Sequence, residues 1–197
     1  MVGILLRFRR HPIAVVADIK AMFSQVQVKE CDKDLLRFLW FPDGDLNAKP
    51  KAYCTTRHVF GATSSPFVAA HALRQAANET NDPTVQNIIK DNFYVDDLLT
   101  SFKTEEEAKR LCLALIPTLQ LSGFNLIKFL SNKQGVLDAI PKDKLAPSVK
   151  DVEVMYNSPI ERTLGLRWIV ASDEYTFKVQ VGDKPNTRRG ILSTTSS

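Results

Sequence analysis

The sequence predicts an α+β fold in which helices cover one face of an antiparallel sheet, and three stretches carry that expectation. Asn92-Phe93-Tyr94-Val95-Asp96-Asp97-Leu98-Leu99 sets two adjacent carboxylates between apolar runs, Ile88, Ile89, Phe93 to Val95 before them and Leu98, Leu99 and Phe102 after. β-branched and aromatic residues around a short acidic step read as a hairpin with the acids at its turn. Ile13-Ala14-Val15-Val16-Ala17-Asp18-Ile19 is an apolar strand with one carboxylate near its end. Helix patterns from 66 to 78 and from 105 onward are interspersed with these strands. An Asp at a turn is ordinary, because its side chain bonds nearby backbone N–H groups. Asp18 is harder to dismiss, since a carboxylate buried without a partner is strongly disfavoured or forced to protonate. Three such carboxylates are the hard oxygen ligands that divalent cations take.

With 197 residues, 44% of them hydrophobic, the chain can bury the core of one domain, or of one domain plus a fragment. A net charge of +4 and a pI near 9.0 suit a polyanionic partner without singling one out. Arg7, Arg9 and Arg10, and again Lys184, Arg188 and Arg189, form basic clusters that fit either a solvated surface or such a partner. The cysteines Cys31, Cys54 and Cys112 are odd in number and lack metal-ligand spacing, which points to reduced thiols in a soluble intracellular protein. Met1 to Leu6 is too short for a signal segment, and its arginines follow rather than precede it. No run approaches transmembrane length.

Taken in order, the strand ending at Asp18 leads into a helical turn over Lys20 to Gln25, and Val26 and Val28 alternate as a short strand would. Leu35 to Phe41 and Tyr53 to Val59 predict a hairpin around a polar loop opened by Pro42-Asp43-Gly44. Its arms mix Lys33, Arg37, Lys49, Lys51, Arg57 and His58 with Phe38, Trp40 and Tyr53. That mixture suits a nucleic-acid strand, and half-buried strands show it too. Ser65 followed by Pro66 predicts a helix N-cap and first position. The helix then runs over small residues to about Asn78, with His71 as an ordinary solvated or core histidine, and Asn81-Asp82-Pro83 ends the segment. Thr104-Glu105-Glu106-Glu107 is a capping box. The helix behind it carries Ala108, Leu111, Cys112, Leu115 and Leu119 on one face and closes at Gly123. Phe124 to Leu130 predicts a strand carrying Lys128, and Lys133 to Asn157 a loop-rich connection. Thr163 to Val170 and Tyr175 to Val181 predict a second hairpin, after which the chain is polar. No internal repeat is present. The open face of such a sheet would be a groove with Asp18, Asp96 and Asp97 on its floor.

Five of these stretches, in this order and spacing, resemble reverse transcriptases. They are Ala17-Asp18-Ile19-Lys20-Ala21-Met22-Phe23-Ser24-Gln25, Phe60-Gly61-Ala62-Thr63-Ser64-Ser65-Pro66-Phe67, Tyr94-Val95-Asp96-Asp97, Gly123 to Lys128, and Leu164-Gly165-Leu166-Arg167-Trp168. The last string, with Arg37-Phe38-Leu39-Trp40, resembles the Pao/BEL group of long-terminal-repeat retrotransposons. The resemblance spans roughly Leu5 to Ser197 and implies an RNA-directed DNA polymerase adding deoxynucleotides to a primer on an RNA or DNA template. It implies a palm with partial fingers over residues 1–160, a primer-grip hairpin over 161–181 and a truncated lead-in to the thumb over 182–197.

By the same resemblance, Asp18, Asp96, Asp97 and the carbonyl of Ile19 bind two Mg²⁺ ions, replaceable by Mn²⁺, with Asp97 in the lesser part. Phe23 lies under the incoming sugar; as a residue following a buried strand it also fits a core position. Phe60, Gly61 and Tyr94 complete the substrate site, Lys128 is a general acid, and Leu164, Gly165 and Leu166 grip the primer. Retroviral relatives carry Gln where Phe60 stands, and the fingertip lysine and arginine expected upstream are absent. No protease, RNase H or integrase signature is present. The chain therefore looks like a piece of a Gag-Pol-type polyprotein, cytoplasmic or within a virus-like particle, and weakly active by itself. The alternatives are a degenerate or domesticated remnant that binds nucleic acid without catalysis, and another palm-type enzyme such as a nucleotide cyclase. The Ser64-Ser65-Pro66 helix start and the Leu164–Trp168 string speak against the cyclase.

Overall fold

A computed structural model describes residues 2–147, 160–163, 166–170, 173–176 and 187. The chain divides into two units, Met1–Met155 and Tyr156–Ser197. In the larger unit a four-stranded antiparallel sheet runs in the order β4-β5-β1-β6, with β1 at Ile13–Ile19, β4 at Phe93–Tyr94, β5 at Asp97–Phe102 and β6 at Leu126–Ser131. Helices α3 (Ser65–Ala76), α4 (Pro83–Asp91) and α5 (Glu105–Leu121) share one core with it. The sheet contributes Ile13, Val15, Ala17, Leu98, Phe102 and Phe129; the helices contribute Leu73, Ile89, Leu111 and Leu115 among others. This is the α+β arrangement expected.

The helices form where their apolar residues repeat at helical spacing. In α5 the stripe is Ala108, Leu111, Cys112, Leu115 and Leu119, and burial pushes the Cys112 thiol up to about 12. Thr104 accepts from the N–H of Glu107 at 3.2 Å, while Glu107 reaches back to the N–H of Lys103 rather than to that of the cap itself. The helix closes as the sequence predicts. The N–H of Gly123 (φ +83) bonds Gln120 O at 2.9 Å and that of Phe124 bonds Leu119 O at 2.9 Å, the two orphan-carbonyl bonds of a glycine-terminated helix.

Several sequence expectations are corrected. Pro83 starts a helix instead of ending a segment: Asp82 caps α4, accepting from Thr84 N at 2.8 Å and Val85 N at 3.4 Å. Ile88 and Ile89 therefore belong to α4 and not to the acidic hairpin. The cap position of α3 falls on Ser64, without a side-chain bond. Ser65 is buried, its hydroxyl 3.3 Å from His58 Nδ1. The alternation at Val26 and Val28 yields only an isolated bridge between Gln27 and Arg57, because no neighbouring strand continues the pairing. The stretch after Lys133 contains α6 (Gln134–Ala139). Arg7, in a cluster that fits either a solvated surface or a polyanionic partner, is exposed at the end of α1 (Val2–Phe8) and bonds Asn92 Oδ1 at 3.0 Å and the carbonyl of Asp91.

A separate two-stranded ribbon pairs β2 (Arg37–Trp40) with β3 (Lys51–Cys54). In the smaller unit β7 (Ile160–Thr163), β8 (Leu166–Ile169) and β9 (Glu174–Thr176) form a three-stranded sheet, one strand more than the hairpin expected. Leu164, Gly165 and most of 182–197 lie outside the described residues.

Candidate functional site

The antiparallel register places Asp18 of β1 directly opposite Asp97 of β5, and Tyr94 of β4 opposite Asp97 on its other side. Directly paired residues share a face, so Tyr94, Asp97 and Asp18 form a row across three strands. The same face, one pair further along, carries Val16 and Leu99, both buried. The face is thus covered at Val16 and Leu99 and more open at the acidic end, where Asp18 and Asp97 are half-buried. Asp96 lies in the turn between β4 and β5, and its carbonyl accepts the N–H of Ile19 at 2.9 Å. That bond ties the acidic turn to the strand bearing Asp18. Val95 opens the turn at φ +57, a left-handed backbone uncommon for a β-branched residue.

Like charges set opposite one another oppose folding, and the site shows it. Asp97 is raised to about 6, first by burial, then by Asp96 and Asp18, while Lys128 pulls it down. Lys128 reaches the row through a bulge. Between the pairs Val16–Leu130 and Asp18–Ile127 the register shifts, and Lys128 sits there at φ +56. One extra residue bends a strand and re-aims a side chain; here the Lys128 ammonium comes to 3.2 Å from Asp18 Oδ2. Lys128 lies 110 residues from Asp18 along the chain, so no local pattern announces the pair.

The three oxygen-bearing side chains are of the type a hard divalent cation takes. As they are placed, no three His, Cys, Asp or Glu side chains among the described residues are gathered for an ion. Asp18 holds the lysine instead.

Phe23, on the short helix α2 (Met22–Gln25), is 6% exposed and belongs to the core. Phe60 stands edge-on to it, centroids 4.7 Å apart and planes at 86°, and is itself 75% exposed. Gly61 follows at φ +89, with open space where a Cβ would project. Tyr94 is 40% exposed. Of the residues assigned to the primer grip, only Leu166 falls in a described strand.

No protein-family model and no curated protein matches the chain. Among solved structures, the foamy viral protease-reverse transcriptase in complex with RNA/DNA hybrid superposes with a TM-score of 0.58 at 16% identity, over 99% of this chain and 22% of that one. A form of the same protein in complex with double-stranded DNA gives 0.63 at 16% identity, over 99% and 28%. Another such complex gives 0.61 at 17%, over 99% and 34%. The chain thus has the fold of part of a retroviral-type reverse transcriptase and spans from about a fifth to a third of those chains.

Proposed function

We propose that this chain is the palm, with part of the fingers, of an RNA-directed DNA polymerase from a Pao/BEL-type retrotransposon. On this reading residues 1–160 are palm and partial fingers, 161–181 the primer-grip hairpin and 182–197 the approach to the thumb. The partners are an RNA or DNA template with its primer, deoxynucleoside triphosphates and the rest of a Gag-Pol-type polyprotein in the cytoplasm. The observation that carries the reading is the row of Asp18 opposite Asp97, with Asp96 in the adjoining turn. It stands at the open end of a sheet with a reverse-transcriptase fold.

Asp18, Asp96, Asp97 and the Ile19 carbonyl, once drawn together, would hold two Mg²⁺ ions, or Mn²⁺, and the chemistry such ions would supply is activation of the primer 3′-hydroxyl and neutralisation of charge on the triphosphate. The chain's own residues supply the rest. Lys128, already beside Asp18, holds a proton for the departing pyrophosphate. Phe60 presents a ring where the related enzymes carry Gln, with Gly61 and Tyr94 beside the nucleotide. Phe23 beneath it excludes a 2′-hydroxyl by overlap, and Leu164, Gly165 and Leu166 align the primer.

The test is primer extension on an RNA template with Mg²⁺. Residues 1–197 alone should stay at background, because fingertip and thumb supply the positioning of triphosphate and duplex. A chain lengthened at both ends should extend the primer, and Asp18→Asn or Asp97→Asn should silence it. Undiminished extension by either variant would defeat the assignment. In the same lengthened chain Phe23→Val should raise ribonucleotide relative to deoxynucleotide use. A proportional fall in both would make Phe23 a core residue only.

A further inference from the structure

We propose that Lys128 is both the resident counter-cation of the acidic row and a competitor for it: its ammonium holds an Asp18 oxygen that a divalent ion also needs, so lysine and ion exchange there. The inference rests on the polymerase reading and adds to it a control on ion entry.

Regular strand alternation would not deliver this side chain. Leu126 and Phe129 both lie in the core shared with the helices. Three steps along a regular strand would set them on opposite faces, so one residue between them is surplus. The register carries it as the shift between the pairs Val16–Leu130 and Asp18–Ile127, and Lys128 absorbs it at φ +56. Ile127, paired with Asp18, shares the face of the acids, and the surplus residue puts Lys128 on that face as well. Without the bulge the position would face the core, where an ammonium without a partner is strongly disfavoured. A left-handed backbone is uncommon for a lysine. It is kept here, where it brings a charge to a charge, and such strain gathers at functional sites.

Competition follows from the charges. Asp18, Asp96 and Asp97 crowd one end of the sheet, with Asp18 and Asp97 direct partners. Lys128 pairs with Asp18 at 3.2 Å and holds the Asp97 carboxyl lower than burial and the neighbouring acids would leave it. A divalent ion brings twice the charge and takes several carboxylate oxygens at once. An ion on the same oxygen would crowd the ammonium, and like charges at that range repel. Release costs the lysine little, because its side chain is 54% exposed and that of Asp18 25%, and ion pairs so open to water are weak. The ammonium can serve the departing pyrophosphate only after it has left Asp18, so the exchange sets the order of events at the site.

The test titrates the full chain with Mn²⁺, counting free ion by its electron paramagnetic resonance signal. Asp18→Asn should lose the uptake seen in the parent. Lys128→Met keeps the stem without the charge and should bind about two- to fivefold tighter, the range open to a partly exposed ion pair. Lys128→Arg keeps the charge and should bind no tighter than the parent. In EDTA, Lys128→Met should melt below the parent, because the acids have lost their cation, and saturating Mn²⁺ should narrow that gap. Lys128→Gly, at home in a left-handed backbone, repeats the titration should Lys128→Met unfold. Parent-like or weaker binding by the charge-free variant, with Asp18-dependent uptake intact in the parent, would overturn this proposal alone. So would Lys128→Arg gaining as much as Lys128→Met, which would make bulk and not charge the cause. If neither the parent nor the charge-free variant takes up Mn²⁺, the reading of the row as an ion site fails, and this inference with it.

Discussion

The four-stranded sheet and the ribbon are built from similar residues and treated in opposite ways. β1 reads Ile-Ala-Val-Val-Ala-Asp-Ile and is buried on both faces except at Asp18; β2 reads Arg-Phe-Leu-Trp and is exposed throughout. Apolar content therefore does not decide burial here. What decides it is whether helices with apolar stripes are connected closely enough to fold back. α3, α4 and α5 all lie between strands of the sheet in the chain, whereas the ribbon joins its strands through a polar loop and, among the described residues, gives none of its own to the buried core. One sheet is a scaffold that holds a crowded acidic row in place, and the other offers its rings outward.

The sharpest contrast comes from truncating side chains in each. Leu115→Ala removes a fully buried residue under the sheet and should cost about 2–5 kcal/mol in urea unfolding. A loss below about 1 kcal/mol would mean that α5 does not carry the core. Next comes Asp82, which caps α4 and also receives Arg110 at 2.9 Å. Asp82→Ala should lower the urea midpoint clearly, because it removes the cap of α4, and Arg110→Met by much less, because the Arg110 side chain is mostly exposed.

A third effect has the opposite sign. With its pKa raised to about 6, Asp97 keeps its proton in the folded chain over a range where the unfolded chain has lost it. Its favourable share is whole below the ordinary carboxylate value near 3.8 and is lost as pH rises through about 6. In EDTA, Asp97→Asn should accordingly melt higher than the parent at pH 8, the gain shrinking below pH 6 and vanishing near pH 4. Mg²⁺ should then raise the melting point of the parent more than that of the variant. A gain independent of pH would show that crowding of the carboxylates is not its cause. The smallest effect belongs to the ribbon: Leu39→Ala, at 69% exposure, should stay within about 0.5 kcal/mol.

Much of this was legible in the sequence where a local rule decides. The capping box at Thr104, the glycine stop at Gly123 and the alternation around Asp96 and Asp97 each state their element within a few residues. α4 was missed although Asp82-Pro83 is a proper N-cap and first position, because a proline after Asn-Asp also reads as a stop. Asp18 and Asp97 could be named, but their direct opposition depends on register over six consecutive pairs, which no short window contains. Lys128 was named from resemblance alone. Its approach to Asp18 rests on a bulge that the apolar pattern of Leu126 to Ser131 conceals. Exposure of the ribbon was illegible for a similar reason, since alternation is the same whether or not anything packs on it.

Cys112 gives the chain a built-in clock for its own opening. Buried on α5, with a thiol that resists ionisation up to about 12, it offers no thiolate to an alkylating reagent while α5 stays on the sheet. Cys31, which is exposed, would be modified first. In a chain whose Cys31 and Cys54 are replaced by serine, the rate at which Cys112 is alkylated becomes a count of core openings. That count can be followed in native buffer, without denaturant, without an ion and without any catalytic turnover.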